Sequence, residues 1–191
     1  MIRSLQEKDI HSVARIHRDE LPGFLSTLGE EFLLEFYRTS MKLPFLFTYV
    51  DDEKGIITGF VSGVESVKGL NKQIVRANLF TFLLISLKVA IRNPLLIVKV
   101  MRVLAYPGFT HTDGELLSIA IDRKYQRKNI GKRLFREVTT EFRKRNIHTF
   151  LVSIYSDLPA NGFYRKIGCK MDSSFAFMGK TMNYYRFTIK Q

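Results

Sequence analysis

The amino-acid sequence predicts an α/β fold in which helices flank a mixed sheet, and three observations carry that expectation. Apolar runs of strand length recur at 44–50, 55–64, 115–121, 148–155, 175–180 and 183–189. Between and before them, helical periodicity appears at 7–20, 29–41, 130–145 and 159–167. The resulting order, αα-ββ-β-α-β-α-ββ, fits one layered unit, and 191 residues suffice for one sizeable core. Residues 1–191 are therefore expected to form a single domain.

Each element follows from its pattern. Residues 7–20 place Ile10, Val13, Ala14, Ile16 and His17 on one helical face, and Pro22-Gly23 ends that helix. The next helix, 29–41, turns Phe32, Leu33, Phe36 and Tyr37 inward. PFLFTYV (44–50) and GIITGFVSGV (55–64) read as a β-hairpin with the polar turn Asp51-Asp52-Glu53-Lys54. After a long interruption, strand 115–121 leads to helix 130–145, which buries Leu134, Val138 and Phe142. Arg143-Lys144-Arg145 suit the partial negative charge at that helix's C-terminus. HTFLVSIY (148–155) is a further strand, and 159–167 a short helix that tolerates Pro159 in its first turn. FAFMGK (175–180) and NYYRFTI (183–189) form a closing hairpin.

The formal charge of +12 is the one compositional anomaly. A basic surface suits nucleic acid, an anionic membrane or a phosphate-bearing small molecule. The aromatic residues are not interleaved with the bases, which argues against a nucleic-acid stacking platform. The single cysteine, Cys169, excludes an internal disulfide and a Cys-rich zinc site. His11, His17, His111 and His148 lack metal-ligand spacing, so no metal is expected. MIRSLQEKDI has no apolar signal-peptide core, and a cytoplasmic location is the expectation.

The most informative stretch is 115–134, ELLSIAIDRKYQRKNIGKRL: an apolar strand, a tight basic turn, then a helix. In the turn Gln126-Arg127-Lys128-Asn129-Ile130-Gly131, backbone N–H groups converge and the helix N-terminus adds partial positive charge. Such a turn receives an anion such as a pyrophosphate. Asn129 tolerates positive φ, and Gly131 allows close approach. The spacing resembles (Gln/Arg)-x-x-Gly-x-(Gly/Ala), the acyl-CoA-binding signature of the GCN5-related N-acetyltransferases (GNAT), with Gln126 and Gly131 matching and Asn129 at the first glycine. A second stretch, DLPANGFYRKIGC (157–169), resembles that family's Asn-x-x-Ala-x-x-Phe-Tyr-x-Lys-x-Gly-Phe helix. Ala160, Phe163, Tyr164, Lys166 and Gly168 match; Asp157 and Cys169 replace Asn and Phe. The resemblance covers roughly residues 1–66 and 112–191 and extends to the order of elements, with a first strand at Ile2–Leu5 and a mostly antiparallel sheet.

The resemblance implies acetyl-CoA as co-substrate and a direct transfer to an amine. It assigns the N–H groups of Arg127, Lys128, Asn129, Ile130, Gly131 and Lys132, beside Gln126, to the pyrophosphate. Strand residues Ile119, Ala120 and Ile121 would meet the pantetheine arm where the strand splays from its neighbour. Tyr164 is the candidate proton donor to the leaving thiolate, because a phenol stays protonated at neutral pH. Asp157 stands where the family's Asn contacts the cofactor arm, and on its own chemistry it suits the N-cap of the 159–167 helix. Glu115 is the first candidate for the general base, with His17, Glu20 and Glu30 as alternatives near the helix 1–helix 2 connection. Cys169 reads as a small core side chain.

Residues 70–106 are an insertion where the family has little. No Asp or Glu occurs in 66–112, and the longest uncharged run, Ala77–Leu87, has 11 residues against roughly 20 for a bilayer span. Pro94 divides the stretch into two basic amphipathic helices. These would form a lid or a homodimer surface, or a peripheral contact with an anionic membrane surface. The expected acceptor is a small-molecule primary amine, an amino sugar or nucleotide amino sugar foremost. A protein N-terminus or lysine is the enzymatic alternative, and a basic binding module the non-enzymatic one.

Overall fold

The computed structural model describes residues 1–68, 70–78, 81, 114–177 and 179–190. Strand β1 (Ile2–Ser4) leads through a 3-10 turn to α1 (Ile10–Glu20), a short α2 (Phe24–Thr27) and α3 (Glu30–Ser40). A hairpin of β2 (Leu46–Glu53) and β3 (Ile56–Val64) follows, then α4 (Leu70–Ala77). Beyond the insertion come β4 (Glu115–Ile121), α5 (Ile130–Lys144), β5 (Thr149–Tyr155), α6 (Ala160–Lys166), β6 (Lys170–Phe177) and β7 (Lys180–Thr188). The expected element order holds. The insertion's helical pair lies outside the described residues, apart from α4 and the few positions after it.

One seven-stranded sheet runs β1-β2-β3-β4-β5-β7-β6, antiparallel throughout except for β4 against β5. Two apolar clusters cover its faces. Ile130, Leu134, Val138 and Phe142 of α5 pack with Leu116, Phe150, Val152 and Ile154 on one face. On the other, Ile10, Val13 and Ile16 of α1 and Phe36 and Tyr37 of α3 pack with Val50, Phe60 and Val64. These are the residues at helical spacings of three and four, which is why the amphipathic pattern selects the helices.

The hairpin turn differs from the expected Asp51–Lys54. Both strands extend further, and the chain reverses at Lys54 and Gly55, whose φ values are 54° and 89°. Two consecutive positive φ angles match the twist of the flanking strands, so a two-residue reversal wins over the polar composition. The carboxylates are held in the strand instead. Asp52 pairs with Arg3 at 2.7 Å and Asp51 accepts from the Thr58 hydroxyl at 2.8 Å. The helix ended by Pro22-Gly23 resumes at once as α2, an element with no clear periodicity of its own.

Candidate active site

The parallel seam between β4 and β5 is only two pairs long, Glu115↔Leu151 and Leu116↔Val152. Beyond it β4 stays with β3 as far as Ile121, and β5 stays with β7 as far as Tyr155. The two strands therefore diverge and leave a wedge between Ser118–Ile121 and Ser153–Tyr155. This is the splay that the resemblance implies. A β-bulge at Leu117 contributes, since Ser62 pairs with Ser118 while Gly63 pairs with Leu116. The extra residue puts Leu116, Ile119 and Ile121 on the α5 face and Leu117 and Ala120 on the other.

At the open end of the wedge lies the basic turn. Arg127 and Asn129 take positive φ, 62° and 60°, and Asn129 is the residue before α5. None of the backbone N–H groups from Arg127 to Lys132 donates to an acceptor among the described residues. The carbonyls nearby are engaged by side chains: the Gln126 amide donates to the Ile121 oxygen at 3.1 Å, and Arg133 to the Lys128 oxygen at 3.3 Å. Arg127, Lys128 and Lys132 are exposed and have no carboxylate partner among the described residues. The Lys128 ammonium lies 5.1 Å from the centre of the Tyr125 ring. Gly131 is set by packing as well as by access. A Cβ there would lie 3.3 Å from Ile121 Cδ1 and 3.4 Å from Phe163 Cε2, a tight fit between β4 and α6. The turn before it is tethered to α1, with Arg15 on Asp122 at 2.8 Å and Glu20 on Arg123 at 3.0 Å.

At the closed end of the wedge sits Glu115, 5% exposed, which accepts from the Ser153 hydroxyl at 2.8 Å. Burial pushes its carboxyl up to about 7, and the Ser153 bond only partly offsets this. Glu115 pairs with Val64, a member of the α1/α3 cluster, so its side chain belongs to that face. Ser153 lies between Val152 and Ile154, which face α5, and so shares the Glu115 side.

Tyr164 lies on the opposite face, in the α5 cluster, stacked on Tyr185 with ring centres 6.0 Å apart. Burial, and secondarily the neighbouring Cys169, holds its phenol well above the ordinary value. Cys169 is buried, and burial lifts its thiol to about 12, in keeping with a core side chain rather than a nucleophile. Glu115 and Tyr164 thus lie on opposite faces of the sheet.

The remaining candidates are placed otherwise. His17 is 4% exposed, hydrogen-bonded through Nδ1 to the Tyr37 hydroxyl at 2.6 Å, and burial lowers it to about 4. Glu20 is engaged with Arg123, and Glu30 with Arg18. Asp157 is exposed and does not cap: Pro159 precedes α6 with no side-chain cap, so that expectation is corrected. The turn before α6 is braced instead by Asn161, which the sequence pattern did not single out. Its Nδ2 donates to the carbonyls of Tyr155 at 2.9 Å and Leu158 at 2.7 Å, and its Oδ1 accepts from Asn183 and Tyr185 at 3.0 and 3.1 Å. A polar residue in the first turn of a short helix, amid Phe163 and Tyr164, was its signal. Ser153 and the Asp51–Arg133 pair carried no such signal. Among the described residues no group of His, Cys, Asp and Glu could hold a metal ion, and no helix is long and apolar enough to cross a membrane.

Comparison with known proteins agrees with this fold. Residues 10–169 match the acetyltransferase (GNAT) family. Similar solved structures include ribosomal-protein-alanine N-acetyltransferase from Brucella melitensis (TM-score 0.66, 16% identity, 99% of each chain covered). Two others are yncA from Salmonella typhimurium with its cofactor acetyl-CoA (0.64, 14%, 100% of this chain and 94% of that one) and the paia N-acetyltransferase from Thermoplasma acidophilum in complex with coenzyme A (0.61, 14%, 98% of each). No curated protein matches the chain.

Proposed function

Since the chain belongs to the acetyltransferase (GNAT) family, we propose that it transfers an acetyl group from acetyl-CoA to a primary amine, directly and within a ternary complex. The observation that carries this reading is the wedge between β4 and β5, closed at Glu115 and opening beside a row of N–H groups without acceptors among the described residues. Acetyl-CoA supplies the activated acyl group as a thioester. The N–H groups of Arg127–Lys132 would hold its pyrophosphate, with Gln126 bracing the turn and the exposed bases adding charge. Ile119, Ala120 and Ile121 would border the arm in the wedge. Asp157, at the far rim, has the weakest support as a cofactor contact.

Glu115 and Tyr164 divide the chemistry. As the amine nitrogen bonds to the acyl carbon, Glu115 accepts the nitrogen's proton; with a carboxyl near 7 it is matched to neutral pH. As the C–S bond breaks, the electron pair leaves on sulfur and Tyr164 donates a hydrogen bond to it. A phenol held above 10 is a weaker acid than a thiol of about 8.5, so hydrogen bonding to the developing thiolate is favoured over full transfer. Holding amine and thioester together supplies much of the acceleration.

The acceptor is read first as an amino sugar or nucleotide amino sugar, in keeping with the basic surface. Protein N-terminal amines are the second reading, supported by the likeness to a ribosomal-protein-alanine N-acetyltransferase. Release of free thiol from acetyl-CoA, followed with amino sugars, nucleotide amino sugars, polyamines and peptides, is the test. Amine-dependent release from one class is expected. No release from any of them, with no heat on titrating acetyl-CoA into the protein, would overturn the reading.

A further inference from the structure

Arg133, in the first turn of α5, connects the basic turn to the sheet. Its Nη2 donates to Asp51 Oδ2 at 2.8 Å, and its Nη1 to the carbonyl of Lys128 at 3.3 Å. Asp51 stands on β2 and is 2% exposed, and the same Oδ2 accepts from the Thr58 hydroxyl at 2.8 Å. The Arg133 main-chain N–H adds a bond to the Asn129 carbonyl at 3.1 Å. A buried carboxylate on one element thus grips a guanidinium on another, and the guanidinium grips the turn.

Lys128 lies between Arg127 and Asn129, the two residues with positive φ. A left-handed backbone costs a residue such as Arg127 about 1–2 kcal/mol and Asn129 less, so contacts from outside the turn help to hold it. The peptide joining Lys128 to Asn129 is trans, and the C=O and N–H of a trans peptide point opposite ways. With the carbonyl drawn onto Arg133, the Asn129 N–H is aimed to the other side of the turn.

We infer that Asp51 and Arg133 are positioning residues for the donor substrate. They act through the Lys128 carbonyl to hold the N–H groups of the 127–132 turn ready for a pyrophosphate. This rests on the N-acetyltransferase reading above. A turn ordered before binding spares the complex the entropy of ordering it, which appears as affinity rather than as turnover. The rival role for Arg133, whose side chain is 48% exposed, is a plain positive charge beside the phosphates. The two separate cleanly, because lysine keeps the charge but cannot reach Asp51 and the carbonyl together.

The test titrates acetyl-CoA calorimetrically into the full chain carrying Arg133→Lys, Arg133→Met or Asp51→Asn, with steady-state kinetics alongside. Each variant should weaken acetyl-CoA binding about tenfold and raise its KM, with kcat at saturation within about twofold of the parent. Amide exchange at Lys128–Gly131 should quicken. Parent-like affinity in Arg133→Lys would overturn the inference, as would unchanged or tighter binding by Asp51→Asn, which frees the guanidinium. If Asp51→Asn does not fold, the half-exposed Arg133 variants decide the matter alone. No heat from the parent protein would overturn the acetyltransferase reading and this inference with it; heat from the parent and from Arg133→Lys alike would overturn the inference only.

Discussion

Two turns carry the chain from the sheet into helices on the same face, and they satisfy their backbones in opposite ways. After β5, the carbonyls of Tyr155, Ser156 and Leu158 all accept from one amide, that of Asn161. That amide's oxygen is taken in turn by Asn183 and Tyr185. After β4, side chains engage the carbonyls of Ile121 and Lys128, while the N–H groups of Arg127–Lys132 are left without acceptors among the described residues. A turn whose carbonyls are gathered by one side chain places the helix behind it, here the one that carries Tyr164. An open turn keeps donors for something brought from outside. The contrast separates a turn braced as scaffold from the turn proposed as a binding surface.

The largest expected effect tests the residue that the closed turn places. Tyr164→Phe keeps the ring and its stacking on Tyr185 but removes the proposed donor to sulfur. The chemical step should slow by about 100-fold, the low end for a positioned proton donor, with acetyl-CoA affinity retained. Single-turnover kinetics would show it, and an unchanged rate would remove Tyr164 from the chemistry.

Next comes the closed turn itself. Asn161→Ala strips the acceptor from Asn183 and Tyr185 and the donor from carbonyls of the turn, in a site that is 6% exposed. Buried partners left unpaired cost about 1–3 kcal/mol each before relaxation, so a loss of roughly 2–3 kcal/mol in urea unfolding is expected. A change below about 0.5 kcal/mol would mean that the closed turn does not depend on Asn161.

The open turn should respond in affinity. Asn129→Val forces a β-branched residue into a φ of 60°, with strain of about 1–2 kcal/mol, and should weaken acetyl-CoA binding roughly tenfold. Asn129→Gly takes the same φ without that strain and should bind about as well as the parent. Equal loss in both variants would assign the effect to the Asn side chain and break the contrast drawn between the turns.

Legibility in the sequence differs between local and long-range features. The helices were readable because Leu134, Val138 and Phe142 recur every four residues, and the basic turn because its residues lie together in the chain. The bulge at Leu117 was not, since LLSIAI is nearly all apolar and hides which face each residue takes. The Glu115–Ser153 bond joins residues 38 apart, and Arg133–Asp51 joins residues 82 apart; no local pattern encodes either. Asp157 looked like the cap because capping residues usually precede a helix, whereas the turn is held from inside the helix by Asn161, which donates to its carbonyls.

The smallest net effect comes from two buried groups whose partners lie within the α1/α3 face. Glu115 is raised from 4.5 to about 7, so the folded chain keeps a proton that the unfolded chain releases. Its contribution is greatest below 4.5 and is lost as pH rises towards 7. His17 is lowered from 6.5 to about 4, so its contribution is present above 6.5 and is lost as pH falls towards 4. Each amounts to about 3 kcal/mol, with opposite slopes in overlapping windows, and in the parent the two should nearly cancel between about pH 4.5 and 6.5. Glu115→Gln removes the falling slope and leaves that of His17. Urea midpoints of the variant should then rise by an amount equivalent to about 2–3 kcal/mol across that range, while those of the parent stay nearly level. A variant as level as its parent would show that Glu115 does not hold its proton in the folded chain, and with that its role as a base tuned to neutral pH would fail.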